Sequence, residues 1–151
     1  MSDASATIDA VETTAERVRE YLRSFDDFEV DDDGNCSLQY GSARVEITVG
    51  VFDEDQSVVK VRSACVTGAK PSPELYQHVA TYPSEVGHLR LVDEDDGTVT
   101  INFCHSLLGE FLNPAELRMT VVAVAFTADD LDDGLAARFG GHVFDASKNK
   151  T

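Results

Sequence analysis

The stretch that decides the fold is NPAELRMTVVAVAFTADDLDDGLAARF, residues 113–139. Asn113 suits a helix N-cap, Pro114 suits the first helical position, and Glu116 stands where a capping box wants a carboxylate. Gly140 and Gly141 follow at once and supply helix-stopping chemistry. Between these signals Leu117, Val121, Val124, Ala128, Leu131 and Leu135 recur at alternating spacings of four and three, so one stripe faces a core. The first half is apolar elsewhere too, at Met119, Val122, Ala123 and Phe126. A helix apolar all round is buried on more than one side, so this segment is expected to pack on a sheet and also to touch a second element or a second subunit. The rival is a strand over residues 118–127, because Val and Thr favour strands. Caps and length decide for the helix.

Working outward, the chain before this helix reads as one opening helix and a set of strands. Residues 1–7 are expected to fray. Ile8, Val11, Ala15, Val18, Leu22 and Phe25 then form a stripe, while Glu12, Glu16, Arg17, Arg19, Glu20 and Arg23 fill the other faces. This predicts a one-sided helix docked on something flat. Phe28 and Val30 alternate with acids, and DDDGN at residues 31–35 turns the chain. Cys36, Leu38 and Tyr40 resume the alternation. Ala43, Val45, Ile47, Val49 and Val51 point one way and Arg44, Glu46 and Thr48 the other, the period of a half-buried antiparallel strand. Val59, Val61, Ser63 and Cys65 share a face of the next strand, with Lys60 and Arg62 placed to pair with Arg44 and Glu46 across the ladder. Ser72-Pro73 starts a short helix through Leu75, Tyr76 and Val79, and Tyr82-Pro83 ends it. Two further strands follow, around Leu89 and Leu91 and from Val99 to His105, joined by the acidic turn DEDDG.

The expected order is α-β-β-β-α-β-β-α. The connections within each run of strands are short, so the hairpins are antiparallel. This is an α+β domain: a five-stranded antiparallel sheet with helices packed on one face, spanning 1–151 as a single unit with loose tails at 1–7 and 140–151.

A length of 151 residues fits one domain able to bury its own core. The net charge is −16, from 28 acidic and 12 basic residues. Such a charge repels phosphate backbones and anionic membranes and favours basic or amphipathic partners. Three cysteines, Cys36, Cys65 and Cys104, form no disulfide framework and suggest reduced thiols inside a cell. The first nine residues lack the basic and apolar regions of a signal peptide, and no apolar run is long enough to span a bilayer. A cytoplasmic protein is expected.

Two local motifs carry a family resemblance. The segment DDFEVDDDGNCSLQYG, residues 26–41, resembles the opening of type III secretion chaperones, where an acidic turn with Gly precedes a Cys-Ser-Leu strand. The segment from Gly87 through GHLRL, the DEDDG turn and VTINF into the long helix is similar as well, and the related YbjN-like proteins share the arrangement. The resemblance covers about residues 8–139. It implies a homodimer that holds a partner polypeptide in extended form on apolar patches, with no catalytic residue. Phe28, Val30, Leu38 and Tyr40 are the partner-binding candidates, and each is equally a core residue by parity. The short helix supplies dimer-interface candidates, Leu75, Tyr76, Val79 and Tyr82, because the family's second helix commonly lies in the seam and aromatic residues suit interfaces.

An EF-hand loop fails at each acidic Gly turn: Gly97 at position six puts Val92 at one, Gly34 puts Tyr40 at twelve, and Gly134 puts Leu131 at three. Cys104 and His105 are strand neighbours pointing to opposite faces and cannot close one metal site. No nucleophile elbow or phosphate loop is present. The sequence therefore predicts no metal, no cofactor and no enzyme. The alternative function is a regulatory protein of a signalling or stress pathway acting through transient contacts with a folded partner.

Overall fold

The computed structural model describes residues 4–144, with side chains from Asp9 onward. The side chain of Ile8 and the tails at 1–3 and 145–151 lie outside the described residues. Helix α1 (Ala4–Leu22) leads into β1 (Glu29–Val30), β2 (Cys36–Tyr40), β3 (Ala43–Asp53) and β4 (Gln56–Ala69). Then come α2 (Pro73–Thr81), β5 (His88–Asp93), β6 (Val99–Leu108), a 3-10 turn at Gly109–Phe111, α3 (Pro114–Phe139) and β7 (His142–Val143). The strands form one sheet in the order β1-β2-β3-β4-β6-β5, with β7 added against β4. Every pairing is antiparallel.

The decisive stretch is a helix over its whole length. Asn113 Oδ1 accepts from the Glu116 amide at 2.8 Å, and Gly140 closes the far end by donating to the Ala136 carbonyl at 2.9 Å. Leu117, Val121, Val124, Ala128 and Leu135 are buried against β4, β3 and β6. Each such side chain contributes about 1–3 kcal/mol on leaving water, which outweighs the strand preference of the Val-rich half. Val18 and Leu22 of α1 complete the cover beside it. Cys36 and Cys65 act as small core hydrophobes.

Two details differ from the expectation. Among the described residues the sheet has seven strands, because two-residue pieces join at β1 and β7, and α1 begins at Ala4 rather than Ile8. The β7 addition has a geometric cause. β3 pairs with β4 only as far as Ser63, so β4 runs on with an open edge, and Val66 and Thr67 pair there with Val143 and His142. The expected loose tail at 140–151 is thus anchored at its start. Gly141, at φ +86°, lies against the Thr67 carbonyl where no side chain would fit.

The expected cross-strand charges are half realised. Glu46 faces Arg62 in register and pairs with it. Arg44 instead reaches the sheet edge, where it meets Glu29 at 3.1 Å and Ser37 Oγ at 2.7 Å.

A polar knot pins α1 to the sheet. Thr14 Oγ1 lies 2.7 Å from Ser57 Oγ, which donates to Glu110 Oε2 at 2.7 Å, while the Ser57 amide donates to Glu110 Oε1. Gly109 passes over this knot so closely that a Cβ would sit 2.0 Å from Ser57 Oγ. Gly109→Ala is therefore expected to destabilise the fold by about 1–3 kcal/mol, read as a lower chemical-denaturation midpoint, whereas alanine at Gly134, where nothing lies nearby, should not lower it.

Candidate partner-binding surface

The edge of the sheet at β1 and β2 is built by a tight acidic turn. Asp31 Oδ1 accepts from the amides of Asp33 and Asn35, both at 2.9 Å, so the side chain holds the turn that brings β1 back along β2. Glu29 faces Ser37 and Val30 faces Cys36. Continuing this register places Phe28 beside Leu38, and Gln39 donates from its amide to the Asp26 carbonyl at 3.1 Å. The four candidates thus meet at one end of the sheet but are not equally available. Leu38 is fully enclosed and Phe28 half-buried against the core. Val30 and Tyr40 are 45% and 41% exposed, on a rim that α1 and α3 leave open.

Helix α2 starts as expected, with Ser72 Oγ accepting from the Leu75 amide at 3.1 Å. Leu75 is wholly buried, Val79 and Tyr82 pack partly against the core, and only Tyr76 of this set stands out in solvent. The helix is clamped to the end of α3. Arg138 meets Glu74 at 2.9 Å and donates to His78 Nδ1 at 3.2 Å, and the His78 ring packs on Phe139 with centroids 5.6 Å apart. Burial, and then the nearby Arg138 charge, lower the His78 pKa.

Among the described residues the sheet's other face carries no helix. Register aligns Glu46, Arg62, Cys104 and His88 in one row across β3, β4, β6 and β5. Asn102 and Arg90 form the neighbouring row. These residues line a shallow, open groove that alternation alone marked only as a polar face. Burial pushes the half-buried Cys104 thiol up despite Arg62 and Arg90 beside it, and pushes Cys65 up to about 12, so neither is poised as a thiolate. Among the described residues no three His, Cys, Asp or Glu side chains converge on a common point. None of the described helices is long and apolar enough to cross a membrane.

One feature of this surface exceeded the sequence-based candidates. Met119 and Phe126 on the outer face of α3 are 73% and 66% exposed, and with Phe25, Arg118, Val122 and Ala123 they form an apolar patch. The all-round apolar pattern signalled it, yet no described element covers it.

An antiparallel sheet backed by helices on one face, with open apolar rims and a long C-terminal helix, defines the chaperone-like α+β class. The family described as T3SS (YopN, CesT) and YbjN peptide-binding chaperone 1 matches residues 9–147, and the chain belongs to it. Among solved structures, the chain is similar to that of the ExsC-ExsE complex, with a TM-score of 0.53 at 15% identity, covering 85% of this chain and 95% of that one. It is also similar to YbjN, a putative transcription regulator from E. coli, with a TM-score of 0.54 at 13% identity, covering 82% and 92%. No curated protein matches the sequence. These likenesses show the fold.

The α2 clamp has a pH signature. His78 is favoured neutral in the folded chain, so its contribution is present above its ordinary value of 6.5 and is lost as pH falls below it. The unfolding temperature of the native chain is expected to drop between about pH 7 and 5, and part of that drop should vanish in His78→Gln.

Proposed function

We propose that this chain is a non-catalytic, cytoplasmic, homodimeric chaperone that holds a partner polypeptide in extended form along the β1–β2 end of its sheet. The observation that carries the reading is the pair of exposed apolar side chains, Val30 and Tyr40, at a sheet edge in a chain whose family is described as peptide-binding. A strand of only two residues, β1, closes this edge, so an extended segment has room to run beside it. Main-chain hydrogen bonds would supply affinity there, and Val30, Tyr40 and the flank of Phe28 would select side chains at alternate positions. The similar ExsC structure is a complex with ExsE, which supports a polypeptide as the partner. Net charge −16 favours a client with basic or amphipathic character. Tyr76 on α2 remains available to an interface, whereas Leu75 and Leu38 serve the core, and a partner would sense them only through their neighbours.

The test is co-purification of the tagged chain with its client from the native host, followed by mass spectrometry. One small polypeptide is expected at stoichiometric yield. Val30→Glu and Tyr40→Glu should each abolish its recovery while leaving the circular-dichroism melt within about 1 kcal/mol of the native chain, as exposed substitutions do. Undiminished recovery with both variants would refute the edge as the binding surface. Recovery of a folded protein alone would favour a transient regulator.

A further inference from the structure

The open face of the sheet gathers positive charge in a strongly acidic chain. Four of the 12 lysines and arginines, Arg44, Lys60, Arg62 and Arg90, point to it. Arg44 is paired with Glu29 and Arg62 with Glu46. Glu94, on the same face, accepts from Thr100 Oγ1 at 2.7 Å. Lys60 and Arg90 are exposed, and among the described residues neither has an ion pair or a side-chain hydrogen bond. Asn102 is only 3% exposed, and its opening lies in the groove between them. Its side-chain amide likewise meets no hydrogen-bond partner among the described residues. A buried amide left this way is uncommon and marks a place where a bound group completes the pair.

We infer that this groove binds an extended acidic segment of another polypeptide, with Lys60, Arg90 and the Asn102 amide receiving its carboxylates. The register supplies the spacing. Thr48, Lys60 and Ser106 form one row across β3, β4 and β6. Arg62 stands in the next row, and Asn102 and Arg90 in the one after. Successive rows on one face are two residues apart, about 6.7 Å. An extended chain lying along β4 and β6 sends alternate side chains to one side at the same period. Asp or Glu at every second position therefore meets Lys60, then Arg62, then Asn102 with Arg90. Arg62 can serve both its own Glu46 and the segment, because a guanidinium carries five donors. The inference does not rest on the β1–β2 edge.

Charge complementarity selects this occupant. A single carboxylate or phosphate gains little from an exposed ion pair in a groove open to water, whereas several held in step on one chain add their contributions. Nucleic acid fits worse. Its phosphates call for a broad basic surface, and Glu29, Glu46 and Glu94 line this same face. At physiological ionic strength the net charge of −16 is screened beyond about 8 Å, so the local cations and the amide decide what the groove holds. Thr48 and Ser106 flank Lys60 with hydroxyls able to bond the segment's main chain.

Fluorescence anisotropy of the full chain with a labelled peptide of alternating glutamate and threonine tests this. Binding is expected at about 100 μM and should weaken as salt rises, and the same peptide with glutamine for glutamate should bind about tenfold worse. Lys60→Gln and Arg90→Gln should each weaken binding about fivefold, and together about twenty-five-fold, with unfolding midpoints unchanged because both residues are exposed. In NMR spectra of the native chain the Asn102 side-chain amide signals should shift on titration with the peptide. Equal binding of the glutamine peptide, variants that bind like the native chain, or an unmoved Asn102 amide overturns the inference. So does free glutamate or inorganic phosphate binding as tightly as the peptide, which would make the groove a small-anion site, or an oligonucleotide binding more tightly. Peptide binding lost as the chain self-associates would give the face to a second copy and overturns it as well. Val30→Glu and Tyr40→Glu should leave peptide binding within about twofold of native, so this groove and the client-binding edge stand or fall separately.

Discussion

Everything in this fold depends on the inner stripe of α3 lying across β4. That strand is the longest in the sheet and touches β3, β6 and β7, and its Val59, Val61, Cys65 and Val66 are shielded from water by the helices above. Antiparallel sheets tolerate one wet face, but the apolar face must be covered, and α3 with α1 is the cover. A 26-residue helix laid over the buried face of β4 buries enough surface to overrule the strand preference of the segment Thr-Val-Val-Ala-Val-Ala-Phe-Thr.

From that cover the working surfaces follow. Because both long helices sit over the middle of the sheet, the rim at β1 and β2 is left partly bare, and Val30 and Tyr40 stand there. The Asp31 turn fixes the edge in place without adding bulk. On the far side, Arg138 and His78 tie α2 to the end of α3, so the short helix is held by the same element that holds the sheet. The polar knot of Thr14, Ser57 and Glu110 does the equivalent for α1. Each helix is thus locked at one defined point by polar contacts and elsewhere by apolar burial.

Much of the architecture was legible in the sequence because its signals are local. The caps Asn113, Ser72 and Gly140 act where they were expected, and the alternation of Ala43, Val45 and Ile47 gives a strand with that face buried. What was hidden depends on distant register. The seventh strand exists only because β3 stops short of the end of β4, which no local pattern reveals. Parity could not tell Leu38 from Tyr40, since both point to the same side of β2; only the reach of the helices separates a buried leucine from an exposed tyrosine. The same holds on α2, where period predicted an apolar face but not that Leu75 would vanish into the core while Tyr76 stayed in water.

The central claim is that α3 has two apolar faces with different surroundings, one closed by its own sheet and one open to solvent. Methyl-resolved NMR with a soluble paramagnetic agent measures this directly, because relaxation reports each methyl group's access to solvent. Val121 and Val124 should be shielded, while Met119 and Val122 should be relaxed strongly. Equal shielding of both sets would contradict the account.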